Sequence, residues 1–213
     1  MKLAIFASTI LALASVNGAT ITFATQPAAF TSFSPVVDSG GGLIGDGSGF
    51  VAIGVSTLSD LQIGQIGSDV GSVAAFRSDF TQFGASSTFG GPGVFNEASL
   101  FNSSTSASTA GGNPFSGNPI LLVAGNGADL ASSSDIFVYK FNVNYETDAP
   151  LFAADLDLTQ PGTVLFGGSQ SSIALPNAGT HDGFAMGALA VVPEPSVALL
   201  GALGALGLLR RRR

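Results

Sequence analysis

Residues 136–143 read Ile136-Phe137-Val138-Tyr139-Lys140-Phe141-Asn142-Val143. Extended, this run places Phe137, Tyr139, Phe141 and Val143 on one face. Wound as a helix, it would scatter them around the cylinder. Ile136 and Val138 begin the opposite face, which turns polar at Lys140 and Asn142. A strand with one aromatic, core-facing side is the expectation.

The same pattern extends outward in both directions. Residues 120–123 are an uninterrupted apolar run, as in a strand buried on both faces. Asn126-Gly127 is a strong turn signal between that run and the aromatic strand. Upstream, Val51, Ile53 and Val55 share a face after the Gly-rich turn 40–49, and Ile21 and Phe23 alternate with Thr20, Thr22 and Ala24. Downstream, Phe152, Ala154, Leu156 and Leu158 are expected to face the core, with Asp155 and Asp157 pointing to water. Residues 164–166 and 173–175 read as short strands, and 184–192 as the last one. Short helical insertions are predicted near 56–63 and 78–83. The Ser/Thr/Gly-rich stretch 99–117 reads as a long exposed loop.

Gly, Ser, Thr and Ala separate 17 Phe along the chain, and no long 3.6-residue period appears before its last residues. The predicted fold is all-β, a single β-sandwich of jelly-roll type over residues 20–192. A β-helix is the alternative, disfavoured by the lack of a fixed-period repeat.

Charge and composition exclude several functions. Between Thr20 and Val192 thirteen acids face only Arg77 and Lys140, a net of about −11. Such a body has no basic patch to displace counterions from nucleic acid. The absence of Cys removes disulfides, thiolate metal sites and cysteine nucleophiles, and a single His, His181, removes His-rich metal sites. No cofactor or metal is expected.

Catalytic constellations are sparse. His181-Asp182 is an adjacent pair, but no Gly-x-Ser-x-Gly elbow accompanies it, and a structural role is expected. Asp155 and Asp157 alternate on one strand, about 7 Å apart, a spacing that glycosidases use. A solvated strand face accounts for them equally. Gly45-Asp46-Gly47-Ser48-Gly49 offers one carboxylate and several carbonyls to a hard cation, yet lacks the full EF-hand pattern and reads as a turn. Residues 40–42 are no P-loop, since no Lys-Ser/Thr follows. Asn102-Ser103-Ser104 fits a glycosylation pattern inside the predicted loop.

The two ends are the most informative parts for function. Met1-Lys2, the apolar stretch 3–14 and small residues up to Gly18 and Ala19 form a secretory signal peptide over 1–19, with cleavage expected after Gly18 or Ala19. At the other end, Val192-Pro193-Glu194-Pro195 precedes an uncharged Gly/Ala/Leu run, 197–209, and four arginines, Arg210, Arg211, Arg212 and Arg213. As a helix that run spans about 20 Å, short of the roughly 30 Å hydrocarbon core. Arginine stems make up part of the deficit by snorkelling, and their charge keeps this end cytoplasmic.

In the order of these parts, residues 192–213 resemble the PEP-CTERM sorting signal of exported proteins in Gram-negative and related bacteria. The resemblance covers about a tenth of the chain and implies recognition by an exosortase. Such a membrane transpeptidase-like enzyme is often encoded with exopolysaccharide genes and would cleave near Pro193-Glu194-Pro195. The organisation expected is a signal peptide (1–19), an exported β-rich domain (20–192) and a sorting signal with a transmembrane helix (193–213). The expected function is structural or adhesive, without catalysis, at the cell surface or in the matrix. Its partners would be the exosortase, the membrane at least transiently, and exopolysaccharide. A carbohydrate-binding module is the first alternative, weakened by the lack of Trp and by only two tyrosines, Tyr139 and Tyr145. A secreted hydrolase is the second.

Overall fold

The computed structural model describes residues 19–26, 32–91, 97–107, 113–146 and 153–190. Strands β1 (Ala19–Ala24), β2 (Val36–Val37) and β3 (Phe50–Val55) precede two short helices, α1 (Asp60–Gly64) and α2 (Val70–Asp79). There follow β4 (Thr81–Gln82), β5 (Asn102–Ala107), β6 (Pro119–Gly125), β7 (Asp135–Asn144) and β8 (Ala153–Asp157). β9 (Gly162–Phe166), β10 (Gly168–Leu175), β11 (Gly179–Ala185) and β12 (Gly187–Ala188) complete the described elements. The architecture is all-β with two short helices, as the period-two patterning predicts.

The strands form three sheets. The largest runs β12-β7-β6-β3-β4, with β9 also paired to β7. The others run β5-β1-β8 and β10-β11-β2. Most pairs are antiparallel, but β1 runs parallel to β8 and β11 parallel to β2.

Alternation along β3, β6 and β7 divides the interior in two. Val51, Ile53, Ile120, Leu122, Phe137, Tyr139 and Phe141 enter one core, closed from the other side by Ile21, Phe23 and Leu156. Phe50, Ala52, Leu121, Val123, Ile136 and Val138 enter a second core on the opposite face, covered by Ile63, Ile66, Val73 and Phe76. The aromatic face of β7 ends earlier than expected, because Val143 is 39% exposed where the strand leaves the core. Rings of Phe83, Phe115 and Tyr145, with centroids 4.9–5.4 Å apart, close one part of the first core.

The helices begin at well-formed caps. Ser59 and Gln62 make a capping box at α1, and the Asp69 carboxylate accepts the Ser72 N–H at 2.9 Å at α2. The Ser72 N–H and the Ser68 hydroxyl hold the Asp69 carboxyl below its ordinary range. Arg77, in the last turn of α2, donates to the Leu130 and Ser133 carbonyls at 3.1 and 2.7 Å, tying down the loop between β6 and β7. Gly54 permits the β3–β4 crossing, since a β-carbon there would collide with the Thr81 carbonyl and the Phe80 ring.

Several expectations need correction. The helix expected near 78–83 is α2, and it ends at Asp79. Only Val73 and Phe76 are buried along it, so the sequence carries almost no helical period. Stretch 99–117 is not one loop: β5 lies inside it and pairs with β1 at six consecutive positions. Thr105 is 6% exposed, accepting the Ala85 N–H at 2.7 Å. Asn126-Gly127 does open the turn between β6 and β7, as expected. The β6–β7 connection runs from 126 to 134, and the Asn126 side-chain oxygen accepts the N–H groups of Ser134 and Asp135, each at 3.0 Å. The expected last strand divides into β11 and β12 at Met186, and residues 191 and 192 lie outside the described residues. Among the described residues no helix is long and apolar enough to cross a membrane, so the predicted span 197–209, which lies outside them, has no support from the structure.

Candidate functional surfaces

Most residues expected to direct sorting lie outside the described residues. These are Gly18, Val192, Pro193, Glu194, Pro195 and Arg210 to Arg213. Ala19 is described. It opens β1, is fully buried, and pairs with Ala107.

His181, Asp182 and Asp157 are each engaged within the fold. His181 Nε2 hydrogen-bonds the Ala178 carbonyl at 2.8 Å, and the ring meets Phe33 edge-on at 5.0 Å. Asp182 Oδ1 instead accepts the Ser172 N–H at 3.1 Å. Asp155 is exposed, but Asp157 turns inward and is 8% exposed, contrary to the expected solvated face. The chain turns at the end of β8, and Asp157 accepts hydrogen bonds from the Thr159 N–H and hydroxyl and from Gln160 Nε2. Its carboxylate orders that turn, and Asp155 has no open acidic partner on the strand.

The loop at Gly45-Asp46-Gly47-Ser48-Gly49 is a turn, as expected. Gly47 and Gly49 take φ of +72° and +64°, and the Gly47 N–H donates to the Phe89 carbonyl at 2.8 Å. Among the described residues no group of three or more His, Cys, Asp or Glu converges on a point that would hold a metal.

Both tyrosines are core residues. Tyr139 donates to the Gln160 carbonyl at 2.7 Å; burial, then the charge of Asp157, raises its phenol. Tyr145 is 1% exposed, and burial pushes its phenol far above the ordinary range. Neither offers an exposed ring. Half-buried aromatics remain, among them Phe166 and Phe184.

Phe184 belongs to a cleft with polar, charged and aromatic lining. This cleft, about 470 Å³, is lined by Ser34, Ser169, Gln170, Ser171, Asp182, Gly183 and Phe184. Asp182 is its one charged side chain. β10 and β11 pair through Gln170–Gly183 and Ile173–His181, so Ser171 and Ser172 together oppose Asp182 in a β-bulge. Ser172 takes φ +58°, a left-handed conformation unusual for a residue other than glycine. Ser34, Ser169, Gln170 and Ser171 carry no motif in the sequence, and their one local signal is the polar run 168–172 just before the apolar alternation at 173–175. A second trough, about 590 Å³, lies between α1 and β9–β12 with glycine-rich walls and no charged lining residue.

Lys140 is paired with Asp60, and Arg77 is bound to carbonyls, so both described cations are engaged inside the molecule. No protein-family model, curated protein or solved structure matches this chain.

Proposed function

We propose that the chain is an exported protein sorted to the cell surface or extracellular matrix by an exosortase, and that its β-rich body is structural or adhesive and performs no catalysis. The order of residues 192–213 carries this proposal: Val192-Pro193-Glu194-Pro195, then an uncharged apolar run, then Arg210 to Arg213. Two prolines hold the motif extended, a shape that a protease-like groove grips along the backbone, and Glu194 adds a charge to an apolar stretch. The run inserts in the membrane, and the arginines stop it there.

The body is a β-sandwich of jelly-roll type in this proposal. Its support is the first core, enclosed by the largest sheet and the β5-β1-β8 sheet. The parallel pairs β1·β8 and β2·β11 depart from an all-antiparallel jelly roll. A role without catalysis is supported by the separate engagements of His181 and Asp182, which leave no nucleophile–base–orienter set around them.

Intact-mass analysis of the surface form, beside a Glu194→Ala variant, tests the sorting role. The expected mature protein lacks residues 199–213, and the variant accumulates as membrane-held precursor. A surface form that still carries residues 199–213 reduces the tail to an anchor.

A further inference from the structure

We propose that the cleft at the β10–β11 bulge binds a neutral saccharide through Asp182, Gln170 and the hydroxyls of Ser34, Ser169 and Ser171, beside the Phe184 ring. This deepens the adhesive part of the proposed function and rests on it only for the source of the saccharide, a surface polysaccharide. The chemistry of the cleft is independent of the tail.

The lining groups are free to bind. Among the described residues, the side chains of Ser34, Ser169, Gln170 and Ser171 hydrogen-bond nothing within the fold. Ser34, Ser169, Gln170 and Ser171 line the cleft with polar groups that the fold leaves open, which suits a ligand rich in hydroxyls, each of which both donates and accepts. Asp182 is held differently. The Ser172 N–H fixes Oδ1 at 3.1 Å, and Oδ2 remains to accept a ligand hydroxyl.

The backbone around the cleft departs from a regular ladder at this place. The bulge sets two serines against Asp182, and the left-handed Ser172 points its N–H at that carboxylate. Strained residues and bulges persist where surrounding structure enforces them, and they re-aim side chains next to sites. Gly183 lets the segment before β2 come close, because a β-carbon there would collide with Pro35; Ser34 is thereby brought to the rim. Phe184 is half-buried and braced by Phe137 and Tyr139, with centroids 5.0 and 5.8 Å away. A fixed, partly exposed ring of this kind offers apolar surface to the C–H groups of a sugar.

Charge selects the ligand within its class. No lysine or arginine lines the cleft, and Asp182 repels anions, so uronates, sulfated sugars and phosphates are disfavoured. β10 is the outer strand of the β10-β11-β2 order, so the cleft lies at a sheet margin, where a polymer can pass across it. Its volume falls in the range of small-ligand sites.

The test uses the full-length chain in a zwitterionic, sugar-free detergent. Titration calorimetry would be run against neutral gluco-, manno- and galacto-hexasaccharides, with oligogalacturonate as the anionic counterpart. Gln170→Ala, Asp182→Asn and Ser171→Tyr would be compared with Asp155→Asn, an exposed position on another sheet. At least one neutral hexasaccharide should bind. Each cleft variant should weaken it about tenfold or more, the loss expected for one good hydrogen bond to a ligand. Asp155→Asn should leave binding unchanged. Should Asp182→Asn melt early, Gln170→Ala and Ser171→Tyr carry the test, since both replace exposed side chains. No binding of any neutral sugar, preference for oligogalacturonate, or full binding by Ser171→Tyr each overturns the proposal. Loss of sugar binding with normal tail removal separates failure of the cleft from failure of the sorting role.

Discussion

The Glu97 carboxylate accepts the Asn177 N–H at 2.7 Å, joining positions 80 residues apart. Asn177 lies in the turn between β10 and β11, and Glu97 is 1% exposed. Its second oxygen, Oε2, is buried with no hydrogen-bond partner among the described residues. Glu97→Ala should cost about 2 kcal/mol, because it removes the charged acceptor of the part-buried Asn177 N–H. Glu97→Gln keeps an acceptor for Asn177 and carries no charge, so at pH 7 it should stay within about 1 kcal/mol of the parent. Urea melts of the three proteins check this; equal losses in both variants would mean that charge, not the Asn177 bond, matters.

The two buried tyrosines should respond in opposite ways to loss of the hydroxyl. Tyr139 uses its hydroxyl on the Gln160 carbonyl, so Tyr139→Phe should cost about 1 kcal/mol. The Tyr145 hydroxyl is buried without a hydrogen-bond partner among the described residues, so Tyr145→Phe should be neutral or stabilising. Melting temperatures of the pair decide it. A large loss in Tyr145→Phe would reveal a partner for that hydroxyl.

Acid sensitivity should localise to Asp79. Burial alone would raise its carboxyl, but hydrogen bonds from the Ser56 and Thr57 hydroxyls and the Thr57 N–H outweigh it and hold the group below the ordinary aspartate value of 3.8. A carboxyl depressed on folding adds stability that is complete above its unfolded value and disappears as pH falls through the lower folded one. Asp79→Asn should therefore be less stable than the parent by about 1 kcal/mol at pH 7. That gap should close below pH 3.8, as the parent carboxyl becomes protonated. A gap independent of pH would show that shape, rather than charge, secures the β3–α2 contact.

In the proposed export, signal-peptide cleavage should leave Ala19 as the first residue. Both Gly18 and Ala19 suit the enzyme, but Ala19 is fully buried in β1 and paired with Ala107. Cleavage after Gly18 keeps β1 whole, whereas cleavage after Ala19 removes its first residue. N-terminal sequencing of the exported protein reads this directly, and a start at Thr20 would contradict it.

How far the fold was legible varied with the kind of strand. β3, β6 and β7 carry Val, Ile, Leu and Phe in alternation or in continuous runs, and each lies where the sequence placed it. β5 did not show itself, because its NSSTSA residues also suit an exposed loop, and only Thr105 is deeply buried. α2 was displaced because two buried residues leave too weak a period to locate a helix. The inward turn of Asp157 was equally hidden, since its partners, Thr159 and Gln160, gather only after the chain bends.

By itself the sequence determined what depends on local pattern: alternating strands, absent thiols and an acidic body. These features follow from side-chain type and spacing along a few consecutive residues. The tertiary structure alone decided which distant segments meet. It placed β1 between β5 and β8, turned Asp157 inward, joined Glu97 to Asn177, and drew Ser34, Gln170 and Asp182 into one cleft. The physical reason is that backbone pairing and polar burial are settled by partners that meet only once the chain bends and packs, whether they are near in sequence, as for Asp157, or remote, as for Glu97. Ser, Thr, Asn and Asp carry no period that announces those partners in advance.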